Sequence, residues 1–267
     1  MTSRIAEAFA RARAEERAAL VIYLCAGDRE LAWTPALIAA AAEAGADVVE
    51  VGMPFSDPTA DGATIQRASE RALKAGATLA GVLEAIRSAR DVTDVPIVLF
   101  GYYNPVLRFG EARLAREANA AGVDGLLVVD LPPELAQPLL EPARAEGLDF
   151  VPLVAPTSTP ERIDRAAEAA GSFLYYVSST GVTGGAAGAQ LADAARRAAA
   201  VRERAGKPVA VGFGVRTPED VARVAKHADG VVVGSAIVEA IESASSRDEA
   251  VRVVRERVTQ LAAATRR

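Results

Sequence analysis

Histidine and cysteine are almost absent from this chain: His227 and Cys25 are the only ones among 267 residues. A disulfide within the chain is thereby excluded, and there is no His/Cys cluster to hold zinc. Ser-His-Asp and Cys-His catalysis are disfavoured unless His227 reaches a site. Lysine is scarce as well. Lys74 falls in an alanine-rich helical pattern, Lys207 in an Ala-Gly-Lys-Pro turn before a strand, and Lys226 at the end of a helical pattern. None is placed like a Schiff-base lysine. The net charge is -5, and arginines are scattered among acidic residues, so there is no basic stripe for nucleic acid and a small-molecule ligand is favoured. No apolar run approaches membrane-spanning length, and the start Met1-Thr2-Ser3-Arg4 lacks the apolar stretch of a signal peptide. A cytoplasmic protein is expected. By elimination, acid–base chemistry falls to carboxylates or tyrosines.

Against these absences stands an ordinary apolar content, 51% hydrophobic with 24% charged residues, enough for a large core. A short unit recurs: a helical stretch, Gly or Ala, Asp, then an apolar run. It appears around Asp47, Asp124 and Asp229 and reads as a helix stop, a tight turn and a strand buried on both faces. Further strands are expected at Leu20–Cys25, Pro96–Phe100, Asp149–Val154, Phe173–Val177 and Val209–Gly212, which makes about eight. Helices fit between them, and Thr34-Pro35, Thr159-Pro160 and Thr217-Pro218 each read as a capping Thr followed by Pro at the first helical position. This strict alternation predicts a single-domain (β/α)8 TIM barrel over residues 1–267. It fits better than an open doubly wound sheet, because no early Gly-x-Gly-x-x-Gly turn is present. An extra N-terminal helix, Ser3–Glu16, and an extra C-terminal helix, about Asp248–Ala264, are both expected on the barrel's exterior.

Such barrels build their sites at the C-terminal strand ends. Strand two ends Val49-Glu50-Val51-Gly52, placing a carboxylate among valines, where it must be paired or used. The next loop carries Asp57 and Asp61. Asp61, before Gly62, reads either as a turn or helix-capping aspartate or as a second chemical carboxylate. After strand six comes a long small-residue loop, Ser178 to Gly188, suited to closing over a ligand. Gly212-Phe213-Gly214 after strand seven and Gly234-Ser235 after strand eight offer backbone N–H groups to a phosphate without needing lysine. Tyr23, Phe100, Tyr102, Tyr175 and Phe213, with Leu127 and Val129, line either the barrel core or a flat apolar pocket.

The segment from Glu50 to Gln66, Glu-Val-Gly-Met-Pro-Phe-Ser-Asp-Pro-Thr-Ala-Asp-Gly-Ala-Thr-Ile-Gln, resembles the signature of tryptophan synthase α chains. So do Ala26-Gly27-Asp28, Gly101 to Pro105, Asp130 to Glu134, Tyr176 to Gly184 and Val211 to Val215. The resemblance implies retro-aldol cleavage of indole-3-glycerol phosphate to indole and glyceraldehyde 3-phosphate. It implies that Glu50 moves protons at the side-chain hydroxyl and the indole carbon, and that Asp61 holds the ring N–H. It places the phosphate on Gly184, Gly214, Gly234 and Ser235, and the ring among Tyr102, Leu127, Tyr175 and Phe213. Asp57 and Thr183 would couple loop closure to a β subunit in an αββα complex. That β subunit would carry pyridoxal phosphate, with no cofactor or metal in this chain. A stand-alone lyase releasing free indole and a non-catalytic activator of a β subunit are the competing readings. Ile22 and Arg29 stand where many relatives have proline, Thr59 replaces a usual aliphatic and Ala63 a usual proline, a loss expected to loosen the loop bearing Asp61.

Overall fold

The computed structural model describes residues 3–177, 187–212 and 214–267, with backbone only at 187–189. Its strands are β1 Ala19–Cys25, β2 Val48–Gly52, β3 Ile97–Gly101, β4 Gly125–Val128, β5 Asp149–Phe150, β6 Leu153–Val154, β7 Leu174–Val177, β8 Val209–Gly212 and β9 Gly230–Val233. They pair in parallel in the order β5-β4-β3-β2-β1-β9-β8-β7-β6. The two ends of that order are halves of one segment, the expected strand 149–154. The Val151 N–H still donates to Leu126 O at 2.9 Å on the β4 side, whereas Pro152 O accepts from the Tyr175 N–H at 3.0 Å on the β7 side. Proline has no N–H to continue a ladder. The fifth strand therefore changes partner at Pro152 and closes the barrel. The alternation of helices with strands makes this the expected (β/α)8 architecture.

The helices are α1 Arg4–Ala14, α2 Thr34–Glu43, α3 Ala63–Lys74, α4 Leu79–Ala89, α5 Tyr103–Phe109, α6 Glu111–Ala121, α7 Gln137–Ala145, α8 Pro160–Ala169, α9 Ala187–Ala205, α10 Pro218–Ala225, α11 Ser235–Ser243 and α12 Arg247–Ala263. Side chains alternate along each strand between two apolar layers. Val49, Val51, Leu99 and Leu126 join the helix-facing layer, while Val48, Val98, Phe100, Leu127 and Tyr175 fill the interior.

The recurring Asp is explained at the amino ends of the strands. Asp47 accepts from Leu20 N on β1 at 2.8 Å, Asp124 from Ile97 N on β3 at 2.8 Å, and Asp229 from Val209 N on β8 at 3.0 Å. Each also binds arginine: Arg17 with Asp47, Arg90 with Asp124, Arg202 with Asp229. Each Asp thus satisfies an N–H of the preceding strand that would otherwise lack a partner.

Two local expectations are corrected. Thr159 and Thr217 cap α8 and α10 as expected, but Thr34 lies inside α2, behind a 3-10 turn at Leu31–Trp33, and its hydroxyl accepts from Gly27 N at 3.1 Å instead. The exterior position holds for α12, whose Val254, Val258 and Leu261 join the helix-facing layer. It does not hold for α1. Ile5, Ala8, Phe9 and Ala12 belong to the interior layer, Phe9 stacks on Phe173 at 4.8 Å, and Ile5 and Phe9 lie against Gly125 and Gly230 at the strand starts. This helix plugs the amino end of the barrel, where the absence of a Cβ at those glycines leaves room for it.

Candidate active site

At the other end of the barrel, Glu50 follows the alternation of β2. Val48 faces in, so Glu50 does too, level with Tyr23 on β1 and Val98 on β3. It is fully buried, and its Oε1 has no hydrogen-bond partner among the described residues. Loss of hydration pushes its carboxyl up to about 8, so it carries a proton at neutral pH.

Asp61 reaches the same mouth from the loop after β2. Its own N–H donates to Pro58 O at 3.0 Å, its carbonyl accepts from Gln66 Nε2 at 2.8 Å, and Gly62 leads directly into α3. The Asp61 carboxyl turns inward, buried, and its Oδ1 has no hydrogen-bond partner among the described residues. Burial raises it to about 6, while a hydrogen bond from Tyr102 pulls the other way. The two carboxyls therefore divide around neutrality, Glu50 protonated and Asp61 ionised, the usual mark of an acid–base pair with distinct roles.

Tyr102 does more than the apolar lining expected of it. Besides its bond to Asp61, its hydroxyl accepts from Ala60 N at 3.0 Å, and its ring packs on Phe55 at 5.3 Å. It ties the Asp61 loop to the end of β3. Leu127 and Tyr175 are buried in the interior layer, and burial first, then the nearby acid groups of Glu50 and Asp61, raises the phenols of Tyr23 and Tyr175 and keeps them protonated. Two strand-end glycines make this possible, in a role the sequence did not reveal: it shows Gly212 only with the phosphate-site glycines, and Gly52 only as the end of strand two. A Cβ on Gly52 would overlap the Tyr23 hydroxyl, and one on Gly212 the Tyr175 hydroxyl. A strand-end glycine beside a tyrosine-bearing strand was the signal available.

The phosphate candidates fall where the strands end. Gly214 follows β8 with φ +83, a backbone that side chains resist. Gly234 precedes α11, whose first residue is Ser235, so the opening N–H groups of that helix face the mouth unpaired within the helix. Asp57 is exposed on the rim. Thr183, Gly184 and Phe213 lie outside the described residues. Arg29 adopts φ +74, which a proline ring forbids, and its guanidinium donates to Glu242 O at 3.3 Å.

The profile of the tryptophan synthase alpha chain family matches residues 9–266. The chain belongs to this family. It is 54% identical to the tryptophan synthase alpha chain of Geobacter sulfurreducens over 240 residues, 90% of each chain. It is 47% identical to that of Acidiphilium cryptum over 270 aligned positions, 99% of this chain and 98% of the relative. Among solved structures, tryptophan synthase of Mycobacterium tuberculosis matches with TM-score 0.89 and 39% identity over the whole of both chains. The alpha subunit from Legionella pneumophila matches with TM-score 0.90 and 34% identity over 99% of each. As a tryptophan synthase alpha chain it is a lyase subunit of tryptophan biosynthesis that catalyses the α reaction.

Proposed function

We propose that residues 1–267 form one catalytic barrel domain in which Glu50 carries protons and Asp61 holds charge during cleavage of indole-3-glycerol phosphate. The supporting observation is the pair of buried carboxyls, each with an oxygen that has no partner among the described residues, one neutral and one ionised at neutral pH. Glu50 starts protonated and gives its proton to the ring carbon bearing the glycerol chain. The ring nitrogen becomes cationic, and Asp61 accepts its N–H hydrogen bond and stabilises that charge. Glu50, now a carboxylate, takes the proton of the adjacent hydroxyl. The carbon–carbon bond breaks, its electron pair returns to the ring, and indole and glyceraldehyde 3-phosphate separate. Glu50 ends protonated, as it began. Because the protonated indole accepts the electron pair, the step requires neither metal nor organic cofactor in this chain.

Gly184, Gly214, Gly234 and Ser235 would hold the phosphate through backbone N–H groups, with Tyr102, Leu127, Tyr175 and Phe213 around the ring. Relatives bear the name alpha chain, which implies a β subunit, and we assign this chain to a cytoplasmic αββα complex whose β subunits carry pyridoxal phosphate and receive the indole. The docking surface would be the rim of the barrel mouth that carries Asp57, Leu107 and Leu135. These leucines are 54% and 67% exposed, and they leave the barrel after β3 and β4 at the same end as Asp57. Thr183 would join Asp57 in coupling the two sites.

The test is indole release from indole-3-glycerol phosphate with and without a β chain. Cleavage strongly stimulated by β, and lost in Glu50→Gln while phosphate-ligand binding survives, is the expected result. Equal activity alone identifies a stand-alone lyase, and stimulation of β without cleavage a non-catalytic activator. Wild-type turnover in Glu50→Gln would sink the mechanism.

A further inference from the structure

Outside the mouth, one side chain touches both halves of the proposed chemistry. Glu239 lies on α11, the helix that starts at the phosphate candidates Gly234 and Ser235. Its Oε1 accepts from Thr64 Oγ1 at 3.0 Å, in the first turn of α3, three residues past Asp61. Its Oε2 pairs with Arg216, two residues past Gly214. One turn further on, Glu242 binds Arg71 at 2.7 Å and Arg67 at 3.3 Å of the same α3, and Arg71 holds the buried Asp28 at 2.8 Å. Ile65 lies beside Gly234.

We propose that Glu239 is a positioning residue that couples occupation of the phosphate site to the placement of Asp61, through Arg216 on one side and Thr64 on the other. This rests on the roles assigned above to Asp61, Gly214 and Ser235. An anion drawing in the Gly214 loop and the start of α11 shifts Arg216 and Glu239 together, and the Glu239 oxygen bound to Thr64 carries the first turn of α3 and the Asp61 loop with it. Glu239 and Arg216 are both substantially exposed, so their pairing contributes little to folding stability. Its effect is on geometry, where a displacement of about 1 Å costs up to about 100-fold in rate.

The experiment is amide hydrogen exchange over residues 58–66 with and without glycerol 3-phosphate, alongside cleavage kinetics. In the wild-type chain the ligand is expected to slow exchange there by about tenfold, and in Glu239→Ala by less than about twofold. Glu239→Ala should lower kcat by about tenfold, with an unfolding midpoint near wild type. Glu239→Gln, which keeps an acceptor for Thr64 but loses the charge facing Arg216, should mainly raise KM. The Thr64→Val/Arg216→Gln double variant should lose no more kcat than Glu239→Ala, because both arms run through one carboxylate. Equal slowing of exchange in Glu239→Ala and wild type, or unchanged kcat in Glu239→Ala, overturns the proposal. Asp61→Asn is run in parallel. If it retains full cleavage, the reading of the site fails, while the exchange data still decide whether Glu239 couples the two segments.

Discussion

Glu50 is the residue at which the fold pays most for function. Its carboxyl is held near 8 by burial, against 4.5 when exposed, so the native protein keeps a proton that the unfolded chain releases between those values. Stability is then greatest below about pH 4.5 with respect to this group and declines as pH rises towards 8, by on the order of 2–5 kcal/mol. Glu50→Gln should therefore be more stable than the wild type at pH 8, by chemical denaturation, with the difference shrinking towards pH 5. Equal stability of the two at pH 8 would mean that the carboxylate is compensated in the native state. The same splitting predicts a bell-shaped kcat/KM, rising near pH 6 as Asp61 ionises and falling near pH 8 as Glu50 loses its proton. Tyr102→Phe removes the hydrogen bond that favours ionised Asp61 and the anchor of Ala60 N. The acid limb should move to higher pH while the alkaline limb stays, and a pH–rate series on both proteins checks this.

Among the elements, the loop from β2 to α3 has the most to gain from a single change. Ala63 opens α3, a position whose N–H no helix uses and where proline's fixed φ is already helical. Gly62 before it sits at φ -70 and ψ 159, the extended region that a following proline demands. Ala63→Pro is thus expected to stabilise the protein by about 0.4–1 kcal/mol. The thermal midpoint should rise by about 1–4 °C, and a fall would reveal a use for the Ala63 N–H. In β2 itself, Gly52→Ala should displace the buried Tyr23, with a cost of about 1–3 kcal/mol measured by denaturant unfolding and a loss of cleavage, since Tyr23 shares the interior with Glu50. Unchanged stability and turnover would contradict the tight approach of the hydroxyl to that glycine.

For the molecule as a whole, the two barrel ends divide the work. The amino end holds the repeated Asp–Arg pairs and the α1 plug, which are concerned with packing and hydrogen-bond satisfaction, and the carboxyl end holds the carboxyl oxygens of Glu50 and Asp61 that lack a partner among the described residues. Phe9→Ala should then lower stability by about 3–5 kcal/mol through a cavity under Phe173. It should leave KM for the phosphate substrate unchanged at temperatures where the variant stays folded. A large change in KM there would show that the plug communicates with the mouth.

Periodicity and residue counts alone specified the eight strand segments, the strict alternation with helices, the two terminal helices and a carboxylate among valines at the end of strand two, whose inward orientation came from the barrel itself. These are local properties: apolar runs bounded by turn residues mark the elements, and scarcity of His, Cys and Lys leaves carboxylates or tyrosines for the chemistry. The packing of α1 under the barrel was not legible, because an amphipathic helix states that one face is buried and not against what. The split of the fifth strand at Pro152 depended on two neighbours far apart in the chain. Asp61 could be read equally as a turn residue, since its burial comes from Tyr102 and the barrel mouth and not from Asp-Gly itself. The bridge through Glu239 was invisible for the same reason: it joins residues 64, 216 and 239, and only closure of the barrel, which brings β8 and β9 back beside β1 and β2, puts them within hydrogen-bonding distance.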